Sequence, residues 1–323
     1  MKNHIGTVCR NVAFASCLVA GLATNSFAGS VESIHFLVPG GAGGGWDGTA
    51  RGVGEALQKS GLVGQASFEN MSGGGGGKAI AHLIETASRQ QNTLMVSSAP
   101  FVVRSLQHIY PQSYRDLTLI ASVIADYEVL VVNPDSKYKT WADLEKAFKA
   151  NPGAVKIAGG SSRGGMDNLV AAQIFQAAGG DPQKVRYVAY DAGGKALAGL
   201  LTGEVDVLST GLGEVLEKHK KGQVRIIGVT SVDPIEGIPS FQSMGVDAYF
   251  ANWRGFFGAP NLSQDKVDAF NDVLKKMYDT PEWEVVRSRN AWTNLYQPGQ
   301  EFKTFLEKQE NILGSLMKEM GFL

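Results

Sequence analysis

Four short stretches of glycine and small polar residues stand where a ligand could be held: residues 40–47, 72–77, 159–165 and 191–194. Each follows an apolar run and precedes a stretch with helical periodicity. Glycine lets backbone N–H groups turn outward and approach a ligand closely. The helix behind each loop aims its positive end at the same place. One such loop is an ordinary strand-to-helix connection. Four of them together predict a site for an anion with several separated negative groups. The residues expected at the ligand are Gly41, Ala42, Gly43, Gly44, Gly45, Trp46 and Asp47 in the first loop, and Ser72 and Gly73 in the second. Ser98, at the exit of a third strand, joins them. The third loop supplies Ser161, Ser162 and Gly164, and the fourth supplies Asp191, Ala192, Gly193 and Gly194. Asp47 also suits capping of its own helix, and Arg51, one turn on, suits a structural ion pair.

Arg254 lies between Trp253 and Gly255-Phe256-Phe257, an apolar run in which an unpaired charge is costly. Either a buried acid pairs with it, or it receives an anionic ligand bidentately.

Three enzyme motifs come close. Gly43-x-Gly45-x-x-Gly48 with Glu69 some twenty residues on has the outline of a dinucleotide fingerprint. Its second strand, however, leads into another glycine loop where a ribose-binding turn belongs. Gly76-Gly77-Lys78 falls short of a P-loop, because Ser72 and Ala79 replace required residues. Gly160-x-Ser162-x-Gly164 fits a nucleophile elbow, with Asp206 and His219 following in hydrolase order. An exported serine hydrolase is therefore the alternative enzyme reading. Against it, His219 sits between Lys218 and Lys220-Lys221, as at the solvated end of a helix. His35, His82, His108 and His219 show no ligand spacing, so neither a metal nor a cofactor is expected.

The elements that must position these loops alternate. Strands are expected at 34–38, 66–69, 93–96, 128–132, 155–158, 185–190, 205–208, 224–230 and 253–259. Helices follow the glycine loops, another opens at the Thr140/Asp143 capping box, and two close the chain at 264–277 and about 300–320. Strand–helix alternation of this kind implies a mainly parallel α/β architecture.

The chain has 323 residues, enough for about two domains. With 44% hydrophobic and 19% charged residues it can bury substantial cores, so a disordered chain is excluded. A net charge of −1 argues against nucleic acid as a partner. Lys2 and Arg10, an apolar run at 12–23 and Ser26-Phe27-Ala28 form a secretory signal, residues 1–28, cleaved after Ala28. That run is too short for a span of about 20 residues. Both cysteines, Cys9 and Cys17, leave with it, so the mature chain has no thiol chemistry. The expected domains are 29–126 plus 232–323, and 127–231, joined by two crossing strands with a central cleft that suits hinge closure.

The segments Val-Pro-Gly-Gly-Ala-Gly-Gly-Gly-Trp-Asp (38–47), Glu-Asn-Met-Ser-Gly-Gly (69–74), Arg-Tyr-Val-Ala-Tyr-Asp-Ala-Gly-Gly (186–194) and Trp-Arg-Gly-Phe-Phe-Gly-Ala-Pro (253–260) resemble the periplasmic receptors of tripartite tricarboxylate transporters, the TctC/Bug family. The resemblance covers essentially the whole mature chain. It implies a two-lobed, type II "Venus flytrap" solute-binding protein, a monomer. It also implies a periplasmic carboxylate receptor, not an enzyme, that delivers its ligand to a membrane permease of one large and one small subunit. In that family the first and fourth loops, here 41–47 and 191–194 with 161–165 alongside, hold one carboxylate. Trp46 departs from the small or aliphatic residue common at its place, and Arg254 from the frequent aromatic. An Arg there resembles the branch that binds citrate-like tricarboxylates. The ligand expected is thus a di- or tricarboxylate. A sensor that presents ligand to a signalling kinase is the other reading of the same fold.

Overall fold

The apolar, β-branched runs form strands and the 3.6-periodic stretches form helices. The order is β1 (Ser33–Val38), α1 (Gly45–Lys59), β2 (Gln65–Asn70), α2 (Gly77–Glu85), β3 (Thr93–Ser98), α3 (Ala99–Leu106), β4 (Thr118–Val132), α4 (Trp141–Ala150), β5 (Lys156–Gly159) and α5 (Met166–Ala177). It continues through β6 (Arg186–Ala189), α6 (Gly193–Leu201), β7 (Val207–Gly211), α7 (Leu212–Lys220), β8 (Arg225–Val229), β9 (Ala251–Gly258), α8 (Gln264–Met277), α9 (Pro281–Arg289), β10 (Thr293–Pro298) and α10 (Gly299–Glu319). The structure is a computed structural model that describes Met1 and residues 31–323. Apart from Met1, the expected signal segment, with Cys9, Cys17 and the cleavage position, lies outside the described residues.

β4 organises everything else. Its first half, Thr118 to Tyr127, pairs antiparallel with β9, and β10 lies on its other edge. Beyond β9 follow β3, β1 and β2, the last three mutually parallel. Its second half, from Glu128, pairs antiparallel with β7 and β8, and β7, β5 and β6 are parallel. Parallel blocks therefore flank antiparallel strands in the middle, because the chain crosses and returns there. The crossing strand is continuous. The return is not: β8 pairs with the second half of β4, irregular chain follows, and β9 then pairs with the first half.

Aromatic packing holds β9 in place. Phe256 meets Phe36 of β1 at 5.4 Å between centroids, and Phe257 meets Phe101 of α3 at 5.5 Å. Capping fixes several helix starts as expected. Thr140 and Asp143 form a reciprocal capping box, and Ser263 accepts from Lys266 N. Three elements, α3, α9 and β10, and the first half of β4 were not expected, whereas α7 ends at Lys220 as the residues around His219 suggested. α3 opens on Ser98 with Pro100 in its first turn, and Phe101, Val102, Val103 and Arg104 are all buried. At eight residues and mostly apolar, it is too short for its pattern to distinguish a helix from a buried strand.

Candidate functional site

The loops that follow β1, β2, β5 and β6 meet around one cavity of about 260 Å³. Gly41, Gly44, Gly45, Trp46, Ser72, Gly73, Ser98, Ser161, Ser162, Asp191, Ala192, Gly193 and Arg254 line it. Ala42, Gly43 and Gly194 do not; they meet one another outside its wall, where a Cβ at Gly194 would lie 3.4 Å from the Ala42 carbonyl oxygen. Gly164 is tied down in the third loop, its N–H donating to Asn168 and its carbonyl accepting from Gln107. Asp47 points away from the cavity. It accepts from Gly43 N at 3.0 Å, Arg51 Nε at 2.9 Å and Asn70 Nδ2 at 3.0 Å, so it shapes the first loop.

The first and fourth loops touch across the cleft. A Cβ placed on Gly41 would lie 3.0 Å from Ala192 Cβ and 3.2 Å from Asp191 Oδ2. Ser72 donates to Asp191 Oδ1 at 2.6 Å, and Lys195 holds the other oxygen at 3.2 Å. Those two contacts hold the Asp191 carboxyl below its usual range. In the second loop Gly73, Gly74, Gly75 and Gly76 all have positive φ, which side chains with a Cβ rarely adopt. Trp46 covers this loop and donates its Nε1 to Ser98 Oγ at 2.8 Å.

Two arginines border the cavity, and each is nearly sealed from solvent, Arg104 at 4% and Arg254 at 3% exposed. Arg254 Nη2 donates to Asp126 Oδ2 at 3.1 Å and Nη1 to Thr49 Oγ1 at 3.2 Å; its Nε is buried without a partner. Asp126 therefore competes for the anchoring role expected of Arg254. Arg104, which sequence reasoning missed, has only neutral partners. It donates to Gln107 Oε1 at 2.7 Å and to the carbonyl and hydroxyl of Ser162. No ion pair to it exists among the described residues. Burial pulls its pKa down, yet a guanidinium stays protonated. Its stem lies on the second loop, 3.3 Å from where a Cβ of Gly75 would sit. Its sequence signal was a lone arginine after Phe101-Val102-Val103.

Four acids surround the cavity or its floor, and sequence reasoning missed all of them. Glu128 sits where β4 passes from one set of strands to the other, Asp126 two residues earlier, Asp167 in α5 and Glu214 in α7. Burial pushes the Glu128 carboxyl well up, and the charges of Asp167, Asp126 and Glu214 add to that. Burial pushes Glu214 to about 8 and Asp167 to about 6. Hydrogen bonds from the backbone of Gly160 and Ser161 restrain the latter shift. The available signal was acid placement beside the apolar run that ends β4.

The hydrolase elbow is not assembled. Ser162 Oγ accepts from Arg104, His219 Nδ1 lies 3.3 Å from Val224 O and Ile226 N, and Asp206 Oδ2 accepts from Lys156 N.

A model described as the tripartite tricarboxylate transporter family receptor matches residues 49–322. A Pseudomonas sp. (strain P51) UPF0065 protein is 26% identical over 258 residues, 77% of this chain and 74% of that one. The structure of periplasmic binding protein BugD superposes with TM-score 0.80 at 19% identity, covering 90% of this chain and 98% of the other. R. palustris Rpa4515 with adipate superposes with TM-score 0.78 at 18% identity, covering 90% and 97%. At those identities the structures share the fold. Among the described residues no helix is long and apolar enough to cross a membrane.

Proposed function

Because this chain belongs to the tripartite tricarboxylate transporter receptor family, whose members are solute-binding proteins and not enzymes, we propose that it captures a small organic carboxylate between two lobes and passes it to a membrane permease of that transporter. The observation that carries this is Arg104: a buried guanidinium at the cavity wall whose side-chain partners are all neutral. A carboxylate is the group such a fork receives best, through two parallel charge-assisted hydrogen bonds. The N-termini of α1 and α6, reached through glycine-bearing loops, add donors from the other sides. The adipate bound to the R. palustris relative is in keeping with that class of ligand.

Capture proceeds by closure. The lobes are 29–126 with 232–323, and 127–231, and β4 is the strand that crosses between them. Ligand bridging the first and fourth loops favours the closed arrangement, which Ser72 and Asp191 latch at the rim. Residues 1–28 direct export and are then removed, which leaves the receptor in the periplasm.

A thermal-shift panel of mono-, di- and tricarboxylates, amino acids included, tests the reading. A ligand at 100 times its dissociation constant adds about 2.7 kcal/mol of stability. Stabilisation by at least one carboxylate, lost in Arg104→Gln, is expected. No shift from any of them would overturn the proposal.

A further inference from the structure

Three acceptor atoms of the cavity wall are left over by the capture of one carboxylate. Glu128 Oε2, Glu214 Oε2 and Asn252 Oδ1 are shielded from solvent and have no hydrogen-bond partner among the described residues. All three residues line the cavity. Glu128 and Asn252 are only 1% and 5% exposed. Asn252 Nδ2 donates to the other Glu128 oxygen at 3.3 Å, so the two side chains share one patch. Glu214 reaches in from α7 against Gly193, where a Cβ would collide with its carboxylate.

Acidic side chains outnumber basic ones near this patch, and burial in one another's company favours the protonated forms of Glu128 and Glu214 until a cation joins them. Asp126, Glu128, Asp167 and Glu214 face Arg104 and Arg254. Arg254, the guanidinium whose field reaches both Glu128 and Glu214, is already bound by Asp126. A second ligand carboxylate offers acceptors only, so Glu128 and Glu214 could meet it only by giving up their protons to the contact, and Asn252 Oδ1 could not meet it at all. A protonated amine offers three N–H donors and the opposite charge. A metal ion is the other cation to consider, but no group of three potential ligands converges among the described residues. A buried acceptor without a donor is costly, which makes the ligand the natural source of the missing donors.

We infer that the ligand is a small amino acid, its carboxylate held by Arg104 and the glycine loops and its ammonium by Glu128, Asn252 and Glu214. The inference rests on the carboxylate-capture reading above. It replaces the di- or tricarboxylate expected from sequence by a compound with one group of each charge. The cavity of about 260 Å³ suits a molecule of that size.

Isothermal titration of the purified protein with matched pairs tests it. In 3-aminopropanoate against succinate, and 4-aminobutyrate against glutarate, an ammonium replaces one carboxylate at the same end of the chain. L-Alanine and L-serine cover the closer spacing, and propanoate and citrate serve as references. At least one amino acid should bind more than tenfold tighter than every di- and tricarboxylate. Glu128→Gln should weaken that amino acid by about ten- to hundredfold and leave propanoate unchanged. Dicarboxylates or citrate binding as tightly as any amino acid would overturn the inference and leave carboxylate capture standing. So would an amino acid whose affinity Glu128→Gln leaves unchanged. Failure of every compound, propanoate included, would remove both. The wild-type pairs decide the matter even if the variant does not fold.

Discussion

Arg104 and Arg254 border the same cavity and are almost equally buried, yet their surroundings differ. Arg254 projects from the central strand β9 into a setting prepared for it: Asp126 on the adjacent strand β4 takes one nitrogen and Thr49 another. The Gly45 Cα leaves it space that a Cβ would fill. Arg104 projects from the short helix α3 and meets amide and hydroxyl groups alone. A buried charge with a fixed partner is part of the frame, and removing one member strands the other. A buried charge with neutral partners still has most of its field to offer a ligand. The difference separates a structural cation from a binding one, which residue type and burial alone do not do.

The largest effect expected on this contrast is in stability. Arg254→Gln strands Asp126 and should cost about 3–5 kcal/mol, seen as a large drop in the ligand-free melting temperature. Adding Asp126→Asn should recover much of it. A melt like wild type together with lost binding would exchange the roles of the two arginines.

Next comes closure. Gly41 faces Ala192 and Asp191 with room for no more than a Cβ. Gly41→Val should therefore prop the cleft open and weaken ligand by about tenfold or more, an overpacking cost of about 1–3 kcal/mol, with little change in the ligand-free melt. Unchanged affinity would mean that the two loops need not meet to bind.

The acid patch predicts a pH dependence with a definite sign. Glu214 and Asp167 have folded-state values of about 8 and about 6, above their ordinary 4.5 and 3.8. Across that interval the folded state holds more protons than the unfolded one, so stability falls as pH rises. The ligand-free protein should melt higher at pH 5 than at pH 8, and Glu214→Gln should flatten the upper part of that slope. A melting temperature that climbs over the same range would contradict the burial of these acids.

The smallest effect belongs to the rim. Ser72→Ala removes an exposed hydrogen bond to Asp191 and should cost about 0.5 kcal/mol, a two- to threefold change in affinity measured by titration.

Much of the frame was legible in the sequence. Glycine-rich loops after apolar runs marked where β1, β2, β5 and β6 end, and the capping box at Thr140 marked the start of α4. The features that decide the chemistry were harder to read. α3 is a short apolar run of eight residues, ambiguous between helix and strand, and Arg104 went unnoticed with it. Glu128 belongs to a strand that reads as apolar, and its importance comes from residues far away in sequence, Asn252 and Glu214. Arg254 was visible because an arginine among aromatics is conspicuous. Its partner Asp126 lies 128 positions away, and only the pairing of β4 with β9 brings them together.

The most direct measurement is a titration of the tightest-binding carboxylate, amino acids included, onto wild type, Arg104→Gln and Arg254→Gln side by side, with a ligand-free melt of each. Arg104→Gln should lose about ten- to hundredfold in affinity while melting closer to wild type than Arg254→Gln does. Wild-type affinity in Arg104→Gln, with the loss appearing in Arg254→Gln instead, would contradict the assignment of the carboxylate to Arg104.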